Sequence, residues 1–151
     1  MAMKNTYVIH QATEATHYTA DAFIVRCFDD RFRGAFEAFV HARKFYHIDP
    51  ESVAGGAKIF ASPENESDRE FMFRELEKSV LLHHTKHVIL FSHHDCGAYG
   101  GIGRFNGDTE QELAFHAEEH QKARDALRAH FPDLSVETYF MDDSGIIKTS
   151  A

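Results

Sequence analysis

The 151-residue sequence predicts an α/β fold in which helices flank a mostly parallel β-sheet. Two observations predict it. "AFIVRC" (22–27) and "HVILFS" (87–92) are short, nearly continuous apolar runs rich in β-branched and aromatic residues, the pattern of strands buried on both faces. Between and after them lie stretches with apolar residues at helical spacing, so strands alternate with helices and right-handed crossovers follow.

After the first strand, Phe32, Ala35, Phe36, Phe39 and Val40 form a stripe with the 3/4 spacing of a helix packed on a sheet. A second helix is expected to start at Ser67, where Ser67 and Glu70 make a capping box, with Met72, Leu76 and Val80 facing inward. A third, opened by the capping box Thr109 and Glu112, runs until Pro132 and carries Leu113, Ala117, Ala123, Leu127 and Phe131 on one face. "LSVETYF" reads as a further strand, and "DDSG" as a tight turn into "IIKT", so an antiparallel hairpin can close the C-terminal edge of the sheet. The middle stretch "YHIDPESVAGGAKIF" is the hardest to assign: Pro50 is expected to break a strand, and "AGG" (54–56) suggests a turn or a close backbone approach. One domain over residues 1–151 is expected, with 1–20 a poorly defined N-terminal segment.

Composition narrows the function. Apolar content of 43% and 14 phenylalanines argue for a packed core. A formal charge of −8 argues against a nucleic-acid partner, because phosphate binding needs clustered Lys and Arg. No run approaches the roughly 20 apolar residues of a membrane span, and the opening "MAMKNTYVIH" is not a signal peptide. A soluble, cytoplasmic protein is expected. Two cysteines far apart in the chain make no disulfide framework, and in a reducing compartment thiols near His and Asp more often bind metal or react.

Ligands in open parallel sheets collect beyond the carboxyl ends of strands, where strand order reverses. Cys27, His93 and Cys96 all follow predicted strand ends, and they converge if the strands at 22 and 87 are neighbours. Two thiolates and one imidazole form a donor set that selects zinc, and three ligands leave one tetrahedral position open. Asp29 lies two residues beyond Cys27 and in extended backbone projects to the same side, with Arg31 as its partner. An Asp held by Arg stays ionised and leaves the fourth position free; released, it could close the site itself.

Cys-x-Asp-x-Arg (Cys27, Asp29, Arg31), then His-x-x-Cys-Gly (His93, Cys96, Gly97) after a buried strand, resembles a β-class carbonic anhydrase. The resemblance extends through "VAGGA" and "FPDLSVETYFMDDSG" and covers most of the chain from about residue 20, without the family's long N-terminal helical extension. It implies a zinc lyase that reversibly hydrates CO₂ to bicarbonate through a zinc-bound hydroxide, working as a homodimer. By the same resemblance Cys27, His93 and Cys96 bind zinc, Asp29 and Arg31 form a catalytic dyad, and Ala54, Gly55 and Gly97 lie on the substrate side. The chain departs from the family pattern at Asp30, His94, Ser52 and Val53. Two other outcomes stay open: an inactive zinc-binding homologue with a structural or regulatory role, and a hydrolase of carbonyl sulfide or carbon disulfide. Phe28, Phe32 or Tyr99 sealing the pocket would favour the inert form.

Three further motifs compete for attention. "HAEEH" (116–120) has the H-x-x-E-H spacing of some zinc proteases, but His116 and His120 share a stripe with Leu113 and Leu127 and are expected to be buried structural residues. Cys27 and Arg33 have the Cys-x₅-Arg spacing of cysteine phosphatases, yet Asp29 and Asp30 would repel a phosphate. "GAYGGIGRFNG" lacks the residues of a phosphate loop and reads as a mobile loop beside the metal.

Overall fold

The computed structural model describes residues 1–150. In chain order its elements are β1 (Ala22–Arg26), α1 (Arg33–Ala42), β2 (Ile48–Ser52), α2 (Lys58–Ala61), α3 (Glu66–His83), β3 (His87–His93), α4 (Thr109–His130), β4 (Ser135–Met141) and β5 (Ile146–Lys148). Single 3₁₀ turns occupy Asp30–Phe32, Gly97–Tyr99 and Ile102–Phe105. Residues 1–19 form no helix or strand. Tyr18, just before β1, is fastened by a 2.6 Å hydrogen bond from its hydroxyl to Asp49 of β2.

The strands run in the order β2-β1-β3-β4-β5. The first four are parallel, with Ile24 opposite both Pro50 and Ile89, and β5 returns antiparallel to β4, with Phe140 opposite Ile147. Strand order therefore reverses between β1 and β3, and the carboxyl ends of those two strands mark the switch point where ligands collect.

Period-2 alternation divides the buried strand residues between two cores. Phe23, Val25, Val88 and Leu90 face Phe60, Met72, Leu76, Ala123 and Leu127 of α2, α3 and α4. Ala22, Ile24, Ile89 and Phe91 face the other way, onto the Ala35, Phe36, Phe39 and Val40 stripe of α1. Each fully buried large apolar side chain contributes roughly 1.5–3 kcal/mol, so the sheet is fixed from both faces.

The structure corrects several sequence expectations. Pro50 does not break the strand: β2 passes through it, because β2 is an edge strand and needs no donor on its outer side. α3 starts one residue before Ser67, and its N-cap, Asn65, makes no side-chain capping bond, so the Ser67 box does not form. α4 is capped by Asp108, whose side chain accepts from the N–H groups of Glu110 and Gln111. The Thr109 box fails for a different reason: the Glu112 carboxylate is turned inward and spent elsewhere. Along α4 only Ala123 and Leu127 of the expected stripe are fully buried, beside Glu112, His116, Glu119, His120 and Arg124. That helix presents a mixed face to the protein interior, with Ala123 and Leu127 in the apolar core and Glu112, Glu119, His120 and Arg124 held by hydrogen bonds.

Candidate metal centre

Cys27 follows β1 directly, and His93 ends β3. Their strands are paired neighbours, and Cys96 is carried round by the turn that follows β3. One ligand atom from each of the three residues lies within 4.8 Å of the others, the one such group among the described residues. Around a tetrahedral ion, ligand atoms stand about 3.5–3.8 Å apart, so little movement is needed to close on one. All three residues are buried.

Two details fit a cation at their centre. His93 Nδ1 donates to the His94 carbonyl at 2.7 Å, which fixes the tautomer and leaves Nε2 with its lone pair. Nε2 is fully buried and has no hydrogen-bond partner, an arrangement that costs about 1–3 kcal/mol unless something binds there. The Phe32 ring, 4.6 Å from the imidazole centroid, holds it in place. The sulfurs are prepared as well. The Cys96 thiol first, then the neighbouring His93 imidazole and the backbone N–H groups of Gly55 and Asp29, favour the Cys27 thiolate against burial and hold its pKa far below the usual thiol range. Cys96 is pushed up, first by its bond to Cys27 and then by burial. Burial pulls His93 down most strongly, but the Cys27 thiolate, the His94 carbonyl and Asp29 together outweigh it and hold the imidazole above its ordinary pKa. The three residues thus share protons that a divalent cation would displace.

Asp29 and Arg31 stand at the open side. Asp29 precedes the 3₁₀ turn and caps it, accepting the Arg31 N–H at 3.0 Å, so the Asp–Arg spacing arises from a turn and not from extended backbone. Arg31 Nη2 and Nε bond Asp29 Oδ2 at 2.8 and 3.2 Å, and Nε bonds Oδ1 at 3.0 Å. The guanidinium lowers the Asp29 pKa to about 2. Asp29 Oδ2 lies 3.8 Å from His93 Nε2, within reach of whatever that nitrogen binds.

The three residues expected on the substrate side have separate places. Gly55 turns its N–H to the Cys27 sulfur, Gly97 opens the 3₁₀ turn after Cys96, and Ala54 lines a cleft of about 310 Å³ with Val53, Ile59, Phe71 and Ala98. Phe28 is 64% exposed and is not part of the buried cluster of Cys27, Cys96 and Tyr99. Tyr99 is buried with its hydroxyl donating to Glu119 at 2.9 Å. "GAYGGIGRFNG" is two 3₁₀ turns, and the Ile102 N–H is tied to Asp95 Oδ1 at 2.8 Å.

The H-x-x-E-H residues His116, Glu119 and His120 are buried, as their stripe suggested. His120 bonds Thr149 Oγ1 at 2.7 Å and Ser92 Oγ at 2.8 Å, while Glu119 accepts from Ser62, Tyr99 and Lys122. Arg33 is exposed and paired with Asp30 at 3.2 Å, so it takes no part in a phosphate cradle with Cys27. Sequence reasoning missed two residues at the centre. Asp95, between His93 and Cys96, binds Arg31 at Nη1; Glu112, with 1% exposure, accepts from His94 Nδ1 at 2.6 Å and from the Asp95 N–H at 2.9 Å. The available signal was an acidic residue inside the His-x-x-Cys loop and a carboxylate one turn into the next helix.

A mostly parallel sheet with a Cys-His-Cys cluster at its switch point is the architecture of a β-carbonic-anhydrase-like protein. Residues 18–150 match the model of the family described as "Putative carbonic anhydrase", and the chain belongs to that family. Two curated relatives, both uncharacterized proteins, come from Rickettsia conorii (39% identity) and Rickettsia bellii (35% identity), each over 69 residues and 44% of this chain. Those matches span 37% and 42% of the relatives' own lengths. Among solved structures, a carbonic anhydrase from Glaciozyma antarctica superposes with a TM-score of 0.58 at 19% identity, covering 89% of this chain and 84% of the other. Tetrameric β-carbonic anhydrases from Sordaria macrospora give a TM-score of 0.59 at 16% identity, covering 89% and 82%. Among the described residues, no helix is long and apolar enough to cross a membrane.

Proposed function

We propose that this protein is a zinc-dependent carbonic anhydrase, hydrating CO₂ reversibly to bicarbonate. The observation that carries the reading is the convergence of Cys27, His93 and Cys96 with the Asp29–Arg31 pair on their open side. Two thiolates and an imidazole suit zinc, and they cancel its charge, so an uncharged substrate meets no electrostatic barrier. Zinc held there supplies Lewis acidity that brings the pKa of a water molecule from about 15.7 to about 7.

The chain's own residues do the rest. His93 is locked in one tautomer and presents Nε2 inward. The backbone N–H groups of Gly55 and Asp29 bear on the Cys27 sulfur and that of Ala98 on the Cys96 sulfur, while the Tyr99 N–H donates to the Cys96 carbonyl at 3.0 Å and fixes that turn. Asp29, ionised through its bonds to Arg31, accepts a hydrogen bond from the attacking water and orients a lone pair toward the carbon of CO₂. The cleft of Val53, Ala54, Ile59, Phe71 and Ala98, which also carries Lys58, Glu64 and Asp68, adjoins the Gly55 and Gly97 segments in sequence and is the approach this reading assigns to CO₂.

A homodimer in the cytoplasm is the working unit of this reading. Phe28 beside Cys27, 64% exposed, and Phe71 at the cleft, 47% exposed, are apolar surfaces that a second copy would cover. Both cysteines are free, which suits a reducing compartment.

Stopped-flow CO₂ hydration at several pH values, on protein of measured zinc content, tests the proposal. Turnover that rises with pH and scales with zinc is expected. Full zinc occupancy without turnover would overturn the enzymatic reading and leave a structural metal site or a CO₂-like substrate such as carbonyl sulfide.

A further inference from the structure

Arg31 is gripped by two carboxylates. Beyond its bonds to Asp29, Nη1 donates to Asp95 Oδ2 at 3.1 Å and Nη2 to the Asp95 carbonyl at 3.0 Å. Asp95 is itself immobilised by contacts that do not involve Arg31. It sits in the left-handed region at φ +57°, its N–H donates to Glu112 Oε2 at 2.9 Å, and its Oδ1 accepts the Ile102 N–H at 2.8 Å. Gly101 makes room for this: a Cβ there would fall 2.9 Å from Asp95 Oδ1. With its backbone and Oδ1 committed, Asp95 has one orientation open to it, and that orientation aims Oδ2 at Arg31.

The opposite end of the network faces the metal centre. Asp29 Oδ2 lies between Arg31 Nη2 at 2.8 Å and His93 Nε2 at 3.8 Å, so its carboxylate has two claimants, the guanidinium and any cation that Nε2 binds. Arg31 is 55% exposed at its side chain and on its own would sample many rotamers. A guanidinium free to move could follow Asp29 toward the metal or swing into solvent and release it. Two bonds to Asp95 restrict that freedom, and the planar fork then holds the Asp29 carboxylate to itself.

We propose that Asp95 is a positioning residue that keeps the metal centre open: by pinning Arg31, it holds Asp29 off the fourth coordination position. This rests on the metal reading of Cys27, His93 and Cys96. It ties the two motifs together, because the loop that supplies two metal ligands also sets the position of the Asp–Arg pair that follows the third.

Asp95→Asn is the informative variant. Asparagine tolerates φ near +57° and keeps a side-chain oxygen for the Ile102 N–H, but it turns an amide donor toward Arg31 Nη1. The readout is the visible spectrum of the cobalt(II)-substituted protein during a thiocyanate titration, which reports whether the fourth position is exchangeable. Thiocyanate binding is expected to weaken about fivefold in Asp95→Asn at unchanged cobalt stoichiometry, as Asp29 occupies the position part of the time. In an Asp29→Asn background the same substitution should have no effect. If Asp95→Asn fails to fold, Arg31→Lys, which keeps the charge and loses the fork, should show the same weakening. Equal thiocyanate affinity in wild type and variant, or weakening that persists without Asp29, would overturn the inference while leaving the metal site intact. A wild-type chain that takes up no cobalt would remove the metal reading and this inference with it.

Discussion

Glu112 Oε1 accepts a hydrogen bond from His94 Nδ1 at 2.6 Å, and its other oxygen accepts the Asp95 N–H. A buried carboxylate on the first turn of α4 therefore holds the loop that runs from His93 to Cys96. Removing it leaves two donors without a partner, one of them a backbone group, and each such loss costs about 1–3 kcal/mol. Glu112→Ala is expected to destabilise the protein by roughly 3 kcal/mol in urea denaturation. Metal affinity should fall about 10-fold or more, because groups that orient ligands count nearly as much as the ligands. Unchanged affinity in a competition assay with a chromogenic chelator would show that the loop keeps its shape without the anchor.

The metal ligands themselves separate from the dyad by substitution. Cys27→Ser replaces a thiolate with a hydroxyl that stays protonated at neutral pH, and most of the bound zinc is expected to be lost on dialysis. Asp29→Ala leaves all three donors in place and should retain zinc, while CO₂ hydration falls by about 100-fold or more, the scale of a lost general acid–base partner. Zinc measured by elemental analysis and turnover by stopped flow give the two readouts. Full metal retention in Cys27→Ser would contradict its place among the ligands.

Much of this arrangement was legible because it follows from local pattern. Two apolar runs placed β1 and β3, and the residues after them, Cys27 and His93, could be paired by the rule for parallel sheets alone. What the sequence hid was non-local. Pro50 reads as a strand breaker until the topology shows that β2 is an edge. Glu112 reads as half of a capping box, since nothing local distinguishes a carboxylate that caps its own helix from one that reaches His94. Asp95 sits in plain view inside the His-x-x-Cys motif, but its role depends on Arg31, brought close only when β1 and β3 pair.

Two glycines give opposite expectations for the same substitution. Gly56 has φ +56°, and a Cβ there would fall 2.1 Å from the Phe91 carbonyl oxygen and 2.9 Å from the Cys27 N–H nitrogen. Neither atom can yield without moving a central strand or the residue that carries the metal-binding sulfur. Gly56→Ala should therefore destabilise by more than about 3 kcal/mol and disturb metal binding. Gly34 lies in the exposed first turn of α1, where an added Cβ would meet nothing within 4 Å, and Gly34→Ala should stabilise by about 0.5–1 kcal/mol. Thermal melts of the two variants beside wild type check both signs.

His116 has no solvent exposure, and neither ring nitrogen has a hydrogen-bond partner. Its neighbours are the rings of Tyr99, Phe115 and Phe140, at 4.7, 5.4 and 5.1 Å between centroids. Burial, reinforced by the charge on His93, lowers its pKa to about 4, and burial next to His116 lowers that of His120 to about 3. Both titrate near 6.5 in the unfolded chain, so between pH 6.5 and 4 the unfolded state binds more protons than the folded state. Stability must therefore fall as pH drops through that window, by on the order of 2 kcal/mol between pH 7 and pH 5 from His116 alone. His116→Phe removes the titration and two unsatisfied nitrogens while keeping an aromatic ring among aromatic neighbours. Urea denaturation of the metal-free protein at pH 7 and pH 5 should show a smaller loss for the variant than for wild type. An identical loss in both would mean that His116 finds a way to accept its proton in the folded state, and that the acid sensitivity of this fold originates elsewhere.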